Sequence, residues 1–168
     1  MLAAMAPDPF ATTTSPSADA TADLATRLAK SLGPGDTLGL SGPLGAGKSH
    51  FARAIIASLS GAREIPSPTY TLVQTYDGPG FDIWHADLYR LTEPEELAEL
   101  GLEEAFGTAL CLIEWPDRLP ETPRRALDIS LLPVQGKEDS RRIAFCGALD
   151  LWQDRVKAAL AKKCAPIA

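Results

Sequence analysis

Cysteine is scarce in this sequence, and its cysteines do not have the spacing of a metal or redox motif. Cys111, Cys146 and Cys164 are the three cysteines among 168 residues, and no two of them form a Cys-x-x-Cys pair. An odd number of widely separated cysteines argues against a disulfide framework and against a zinc site. We therefore expect reduced, buried thiols in a cytoplasmic protein.

Basic residues are outnumbered, and long apolar runs are missing. The chain has 16 Lys and Arg against 22 Asp and Glu, a formal net charge of −6. Proteins that hold nucleic acid by electrostatics need clustered basic side chains, so we expect another subunit to make most of any RNA contact. No apolar stretch approaches the ~20 residues that cross a membrane. Residues 1–15 contain no Lys or Arg, which is unlike a secretory signal.

One short segment has the pattern Gly-x-x-x-x-Gly-Lys-Ser/Thr of a loop that wraps nucleotide phosphates. Its glycines permit unusual backbone angles and let main-chain N–H groups approach phosphate oxygens. The lysine reaches the β- and γ-phosphates, and the terminal hydroxyl suits Mg²⁺. We therefore predict a nucleotide site here and expect its lysine to be solvent-accessible. The residues of this phosphate loop are Gly42, Pro43, Leu44, Gly45, Ala46, Gly47, Lys48 and Ser49.

Hydrophobic periodicity and turn residues predict the elements around this loop. Helices are predicted over residues 19–32, 51–59, 93–100 and 149–163, and strands over 36–41, 70–76, 81–88, 109–113, 127–132 and 142–146. The mixture predicts a three-layer α/β P-loop NTPase sandwich, whose mixed sheet includes antiparallel strands, in one domain over residues 19–168. Residues 1–18 are rich in Ala, Thr, Ser and Pro, which predicts a disordered N-terminal arm.

Two acidic residues stand where a phosphate loop needs a metal partner. Glu114 follows the apolar run 110–113, and Asp87 ends the predicted strand that begins at Phe81. In open α/β sheets, ligands bind beyond the carboxyl ends of the strands. We therefore predict that Glu114 and Asp87 are catalytic residues and, with Ser49, ligands of Mg²⁺.

Other polar residues allow weaker interpretations. Thr69 lies on a proline-constrained loop after the P-loop helix, where nucleotide switches place a hydroxyl that senses the γ-phosphate. His85 is interpreted as a packed strand histidine rather than a catalytic base, and His50 as an outward-facing side chain. The arginine pairs at 124–125 and 141–142 are interpreted as solvated surface, with a phosphate or adenine contact as the alternative.

Four segments together resemble one family, in their order and in their separations. They are the phosphate loop, Ser-Pro-Thr-Tyr-Thr-Leu-Val at 67–73, His-Ala-Asp-Leu-Tyr-Arg-Leu at 85–91 and Cys-Leu-Ile-Glu-Trp-Pro at 111–116. This set resembles the bacterial TsaE family of tRNA threonylcarbamoyladenosine biosynthesis ATPases. The sequence departs from many members at Pro43, which removes one N–H donor from the loop, and at His50.

The resemblance implies ligands, residue roles and partners. It implies that ATP and Mg²⁺ bind, that Ser49 and Glu114 hold the metal, and that Asp87 supports hydrolysis. It also implies that a threonine on the first helix lies near the nucleotide, and Thr21 matches that position. The implied partners are TsaB and TsaD, which modify adenosine 37 of tRNAs that read ANN codons, so this chain would contact tRNA only indirectly.

Two other functions are compatible with a phosphate loop. A small-molecule P-loop kinase would need a lid that closes over the phosphates, and only the short loop 116–125 could serve. A nucleotide-dependent binding module without significant turnover is the second alternative, because hydrolysis can wait for a partner to order a switch loop.

Overall fold

The structure is a computed structural model that describes residues 8–68 and 71–161. Strands and helices alternate over most of this part of the chain. In chain order, the elements are β1 (Ala11–Ser15), α1 (Ala18–Ala29), β2 (Thr37–Ser41), α2 (Lys48–Ser60), β3 (Val73–Asp77), β4 (Asp82–Asp87), α3 (Pro94–Glu99), α4 (Leu102–Ala105), β5 (Leu110–Glu114), a 3₁₀ turn (Pro116–Arg118), β6 (Leu127–Val134), β7 (Lys137–Cys146) and α5 (Leu149–Leu160).

The strands form one mixed seven-stranded sheet in the order β1-β7-β6-β2-β5-β4-β3. The four central strands β6, β2, β5 and β4 are parallel to one another. The flanking strands are antiparallel: β3 pairs with β4, β7 with β6, and β1 with β7. The predicted mixed α/β P-loop fold and the predicted β3–β4 hairpin are therefore confirmed.

Apolar side chains cover both faces of the central strands. Leu110 and Leu112 of β5 pack into the core formed with α1, α2 and α5, whereas Cys111 and Ile113 face α3 and α4. Successive strand residues point to opposite faces, so the continuous apolar run that predicted β5 fills two cores. This arrangement makes three layers, with the sheet in the middle.

The N-terminal segment differs from the prediction of a disordered arm. Residues 11–15 form β1, which pairs with β7 from Ala11 opposite Phe145 to Ser15 opposite Arg141. Ser17 then caps α1 by accepting a hydrogen bond from Ala20 N–H at 3.1 Å. The composition is poor in large apolar residues, but the three threonines of β1 are β-branched, and β7 supplies an edge for them to pair with. Residues 1–7 lie outside the described part.

Some boundaries also differ. β7 begins at Lys137, five residues before the predicted strand, because a tight turn at Gly136 (φ 78°) extends its pairing with β6. The short helix α4 was not predicted, and the predicted end of the last helix lies outside the described residues, which show α5 as far as Leu160. Within residues 8–68 and 71–161, no helix has the length and apolarity needed to cross a membrane.

Candidate nucleotide-binding site

The phosphate loop connects the carboxyl end of β2 to the first residue of α2, as its motif predicts. Its backbone uses positive φ at Gly42 (145°), Gly45 (77°) and Gly47 (104°), the region that side chains disfavour. A Cβ atom on Gly42 would lie 2.3 Å from the carbonyl oxygen of Leu131 on β6. Glycine at this position is therefore required both by the backbone angle and by the close approach of the loop to the sheet.

The N-terminus of α2 has the features of an anion site. Gly47 caps the helix, and among the described residues no side-chain cap accepts a hydrogen bond from its first N–H groups. The helix is 13 residues long, and its aligned peptide dipoles place a partial positive charge at this end. Uncapped N–H groups together with this dipole favour a phosphate group.

Lys48 is buried, which contradicts the expectation that it would be accessible. Only 5% of the residue is exposed. Its ammonium donates to the carbonyl oxygens of Gly42 at 2.7 Å and Pro43 at 2.8 Å, and it lies 4.4 Å from the ring centroid of Trp115. Burial lowers the pKa of Lys48, and the nearby carboxylates of Glu114 and Asp87 partly oppose that shift.

Glu114 is at the centre of a buried hydrogen-bond network. It ends β5, is 2% exposed, and its register partners are Leu40 on β2 and Asp87 on β4. Ser49 Oγ donates to Glu114 Oε1 at 2.7 Å, and His85 Nε2 lies 2.7 Å from Glu114 Oε2. The parallel strands β2, β5 and β4 thus bring Leu40, Glu114 and Asp87, which are far apart in sequence, to one edge of the sheet.

Asp87 lies beside Glu114, one strand further along the sheet. Its Oδ1 accepts a hydrogen bond from the N–H of Tyr89 at 3.0 Å. Burial raises the pKa of Asp87, and the charge of Glu114 adds to that shift, whereas the Tyr89 N–H, His85 and Lys48 oppose it. The N–H of Asp87 donates to the carbonyl of Leu72 at 2.9 Å, which connects Asp87 to the loop that follows α2.

A pocket of about 420 Å³ contains these groups. The predicted residues Lys48, Ser49, Asp87 and Glu114 all line it, together with Gly45 and Gly47 of the phosphate loop. Residues of both charges therefore face one cavity at the N-terminus of α2. The remaining lining residues are Leu44, His50, Arg53, Tyr89, Arg90 and Trp115.

Ser49 and Glu114 provide oxygen atoms that suit Mg²⁺. Their 2.7 Å separation is close to the roughly 3 Å expected between adjacent ligands of an octahedral magnesium ion. Within the described ranges, no group of three or more His, Cys, Asp or Glu side chains is arranged to hold a metal. Mg²⁺ ordinarily uses one or two carboxylates, water and substrate phosphates, so the donor set present fits this ion.

Aromatic side chains form one wall of the pocket. The rings of Tyr89 and Trp115 lie 4.9 Å apart at an angle of 43°. Trp115 has φ 60°, a conformation that is uncommon for a bulky residue. Because Trp115 follows Glu114 directly, this turn places the indole over Lys48 while the carboxylate stays buried.

The structure adds residues to the site that the sequence did not indicate. Arg53 and Arg90 line the pocket. His85 is fully buried against Glu114, which confirms its interpretation as a packed strand histidine. Arg53 is one helical turn after Ser49, a spacing that could have indicated it. Arg141, interpreted as solvated surface, instead donates to the phosphate loop at Ala46 O over 2.8 Å; this contact joins residues 95 positions apart, so no local pattern indicates it.

The lining of this cavity does not include every described residue that was predicted to bind nucleotide: Gly42, Pro43, Ala46 and Thr21 are not part of it. Thr21 is 2% exposed, and its hydroxyl is 2.6 Å from Ser15 Oγ and 3.1 Å from Ser17 O. Within the described residues it does not line the phosphate pocket, so its contact with nucleotide stays a prediction. Thr69 lies outside the described residues, and its role as a switch hydroxyl also stays a prediction.

Comparison with known families decides the affiliation of the chain. The family model described as "Threonylcarbamoyl adenosine biosynthesis protein TsaE" matches residues 15–143. The chain belongs to the TsaE family. That match covers every strand from β2 to β6, both helices that flank the phosphate loop, and the pocket described above.

Relatives in this family are similar over much of the chain. A TsaE protein of Rickettsia bellii is 43% identical over 131 residues, covering 76% of this chain and 88% of the relative. One from Haemophilus influenzae is 38% identical over 124 residues, covering 71% and 75%. The match to Rickettsia conorii TsaE is 51% identical, but it spans 60% of this chain and 58% of that relative. All three carry the name tRNA threonylcarbamoyladenosine biosynthesis protein TsaE.

A solved structure has the same fold. The crystal structure of Bacillus subtilis YdiB aligns with a TM-score of 0.70 and 27% identity, over 89% of this chain and 93% of YdiB. The mixed sheet and its helices are therefore shared with a protein whose structure has been determined. This chain is thus an α/β protein with the fold of a nucleotide-binding family, and the name of that family refers to the biosynthesis of a modified tRNA nucleoside.

Proposed function

We propose that this TsaE protein binds and hydrolyses ATP as a cytoplasmic subunit of the machinery that threonylcarbamoylates adenosine 37 in tRNAs reading ANN codons. Its proposed partners are TsaB and TsaD. The observation that carries the proposal is the convergence of Lys48, Ser49, Asp87 and Glu114 on one pocket at the N-terminus of α2. Family membership supports the biological setting.

Phosphate binding falls to the loop and the helix that follows it. Gly45 and Gly47 line the pocket, and the uncapped N-terminus of α2 favours negative charge. When phosphate binds, the Lys48 ammonium exchanges its two carbonyl acceptors for phosphate oxygens. Charge-assisted hydrogen bonds to phosphate are stronger than those to neutral carbonyls, so this exchange stabilises the bound state.

Hydrolysis depends on the carboxylates at the ends of β4 and β5. Ser49 and Glu114 would hold Mg²⁺, which would supply positive charge to offset the negative charge that develops on the phosphates. Asp87 orients the attacking water as a hydrogen-bond acceptor. Its raised pKa makes it a better proton acceptor than an ordinary aspartate. His85 keeps the Glu114 carboxylate fixed through its 2.7 Å contact.

The charge of the chain suits a subunit that does not hold tRNA itself. With a net charge of −6, nonspecific attraction to a phosphate backbone is unfavourable. The partner subunits would supply most of the RNA contact, and this chain would couple ATP turnover to their cycle.

Lysine replacement tests the activity. Lys48→Ala should weaken ATP binding by roughly a hundredfold or more, because hydrogen bonds to charged groups contribute about 1.5–3 kcal/mol each. The fold should remain. The substitution removes the contacts of the ammonium with two carbonyl groups, but it also removes the cost of keeping a buried charge away from water. Isothermal titration with ATP and circular dichroism measure the two quantities, and Lys30→Ala, which removes an exposed lysine at the end of α1, is the matched control.

Product analysis distinguishes this activity from the alternatives. The wild-type chain should release inorganic phosphate from ATP, faster when TsaB and TsaD are present. A phosphorylated small-molecule acceptor would show a kinase, and tight ATP binding without phosphate release in the complete mixture would show a binding module. ATP affinity of a folded Lys48→Ala variant equal to that of wild type would contradict the site itself.

A further inference from the structure

Arg141, a residue of β7, connects the phosphate loop to the first residues of that strand. Its Nε donates to Ala46 O at 2.8 Å, and one terminal nitrogen lies 3.3 Å from Gly45 O. The other terminal nitrogen donates to Glu138 O at 2.7 Å and Ser140 O at 2.8 Å. The acceptors in these four hydrogen bonds are main-chain carbonyls, so the guanidinium fixes backbone rather than another side chain.

The contact to Ala46 sets the orientation of a peptide unit in the loop. The carbonyl of Ala46 and the N–H of Gly47 belong to the same peptide plane, and in a trans unit they point in opposite directions. The hydrogen bond from Arg141 directs the carbonyl of Ala46 toward β7. The N–H of Gly47, a residue that lines the pocket, is thereby turned away from Arg141.

The phosphate loop also approaches the sheet closely where it begins. Gly42 approaches the carbonyl of Leu131 on β6 so closely that a Cβ would lie 2.3 Å from that oxygen, and Ala46 is fully buried. The loop therefore lies close to β6 at its beginning and is contacted by Arg141 further along, at Ala46. An arginine fits the second position because its planar fork offers several donors in a fixed geometry, which a lysine ammonium does not.

We propose that Arg141 is a positioning residue that holds the phosphate loop in its phosphate-binding conformation by fixing the carbonyls of Gly45 and Ala46. This inference rests on the proposed nucleotide site and adds a residue outside the loop to its function. Because Arg141 acts through main-chain orientation, its loss weakens recognition of the phosphate chain whether or not a base and sugar are attached.

The experiment compares two ligands in four proteins. Isothermal titration with Mg²⁺–ATP and with Mg²⁺–tripolyphosphate is carried out on wild type, Arg141→Ala, Arg141→Lys and Arg142→Ala. Arg142 is the neighbouring residue of β7, exposed and directed to the opposite face of the strand, so it is the matched control. Thermal unfolding of each protein establishes that it is folded at the titration temperature.

Arg141→Ala should weaken binding of both ligands by a similar factor, roughly tenfold to a hundredfold for the loss of contacts from a charged donor. Arg141→Lys should lose a large part of the same affinity although it keeps the charge, and Arg142→Ala should bind like wild type. Methylguanidinium added to Arg141→Ala should restore part of the affinity, whereas methylammonium should not.

The possible results separate this inference from the proposed function. If wild type binds neither ligand, the proposed nucleotide site fails. If wild type binds both and the folded Arg141→Ala variant binds them equally well, the positioning role is wrong. A loss confined to ATP would overturn it too, because it would show a direct contact between Arg141 and the nucleoside. If Arg141→Ala does not fold, the lysine variant decides. Binding of both ligands by Arg141→Lys with the affinity of wild type would overturn the role of the guanidinium group.

Discussion

Replacing Glu114 with alanine removes a buried carboxylate that two neighbouring side chains contact, and the energetic consequence can be worked out from these contacts. Ser49 and His85 each lie 2.7 Å from one of its oxygens. His85 is fully buried, and its Nδ1 has no hydrogen-bond partner within the described residues. Without Glu114, neither imidazole nitrogen would have a partner among the described residues.

The expected cost is moderate because two effects oppose each other. A hydrogen bond to a charged group contributes about 1.5–3 kcal/mol, and an unpaired buried polar group costs about 1–3 kcal/mol. Removing the carboxylate also removes the cost of keeping it away from water. We expect Glu114→Ala to lower the free energy of unfolding by about 1–3 kcal/mol, because the desolvation cost that is removed offsets part of the contacts that are lost.

A double-mutant cycle isolates the contact between His85 and Glu114. Urea unfolding of wild type, His85→Ala, Glu114→Ala and the double variant gives the free energy of each. The double variant should be more stable than the sum of the single effects predicts, by about 1.5–3 kcal/mol. The control cycle combines His85→Ala with Glu99→Ala, since Glu99 is an exposed residue of α3. In this control, the effects of the two single substitutions on the free energy of unfolding should add.

The same variants test the function of the contact. Glu114→Ala should weaken the Mg²⁺-dependent part of ATP binding and stop hydrolysis. His85→Ala keeps the carboxylate but leaves it less firmly oriented, so hydrolysis should require a higher Mg²⁺ concentration. Unfolding effects that add to within ~0.5 kcal/mol, together with an unchanged Mg²⁺ dependence in His85→Ala, would refute the reasoning that His85 positions Glu114.

Two further predictions concern Asp87 and the loop after α2. Burial raises the pKa of Asp87, so the folded state binds this proton more tightly than the unfolded chain, and the stability that Asp87 contributes is lost as pH rises from the ordinary aspartate range through the raised pKa. Asp87→Asn keeps an acceptor for Tyr89 N–H. It should abolish hydrolysis but be more stable than wild type at neutral pH, and the difference in stability should shrink in acid. Urea unfolding across pH measures this difference, and a variant less stable than wild type at neutral pH would contradict the expected sign of the effect. If Thr69 senses the γ-phosphate, amides 65–71 should exchange hydrogen more slowly with an ATP analogue than with ADP, and the ATP form should bind TsaB and TsaD more tightly by about 1–3 kcal/mol. Equal protection and equal partner affinity in the two nucleotide states would remove the switch role.

The contact between Leu72 and Asp87 is the structural reason to test these two predictions together. Leu72 follows the segment that contains Thr69, has φ 64°, and accepts a hydrogen bond from Asp87 N–H at 2.9 Å. A change in this segment can therefore reach the carboxylate that is proposed to orient water. Partner binding at the loop would act on hydrolysis through the same contact.

Local patterns in the sequence determined the parts of this protein whose chemistry is contained in a few consecutive residues. The glycines of the phosphate loop predicted backbone angles that the structure shows at Gly42, Gly45 and Gly47. Continuous apolar residues predicted β5, because a strand covered on both faces needs them at every position. The positions of Asp87 and Glu114 at strand ends then followed from the general geometry of parallel sheets.

Only the tertiary structure decided which distant residues meet and which are covered. The contact of His85 with Glu114 depends on the parallel register of β4 and β5, and the hold of Arg141 on the loop depends on β7 lying beside β6. Burial of Lys48 under Trp115 and the pairing of β1 with β7 have the same origin. These contacts join segments whose sequences carry no local sign of each other, since they depend on the strand order and on the packing of helices on the sheet.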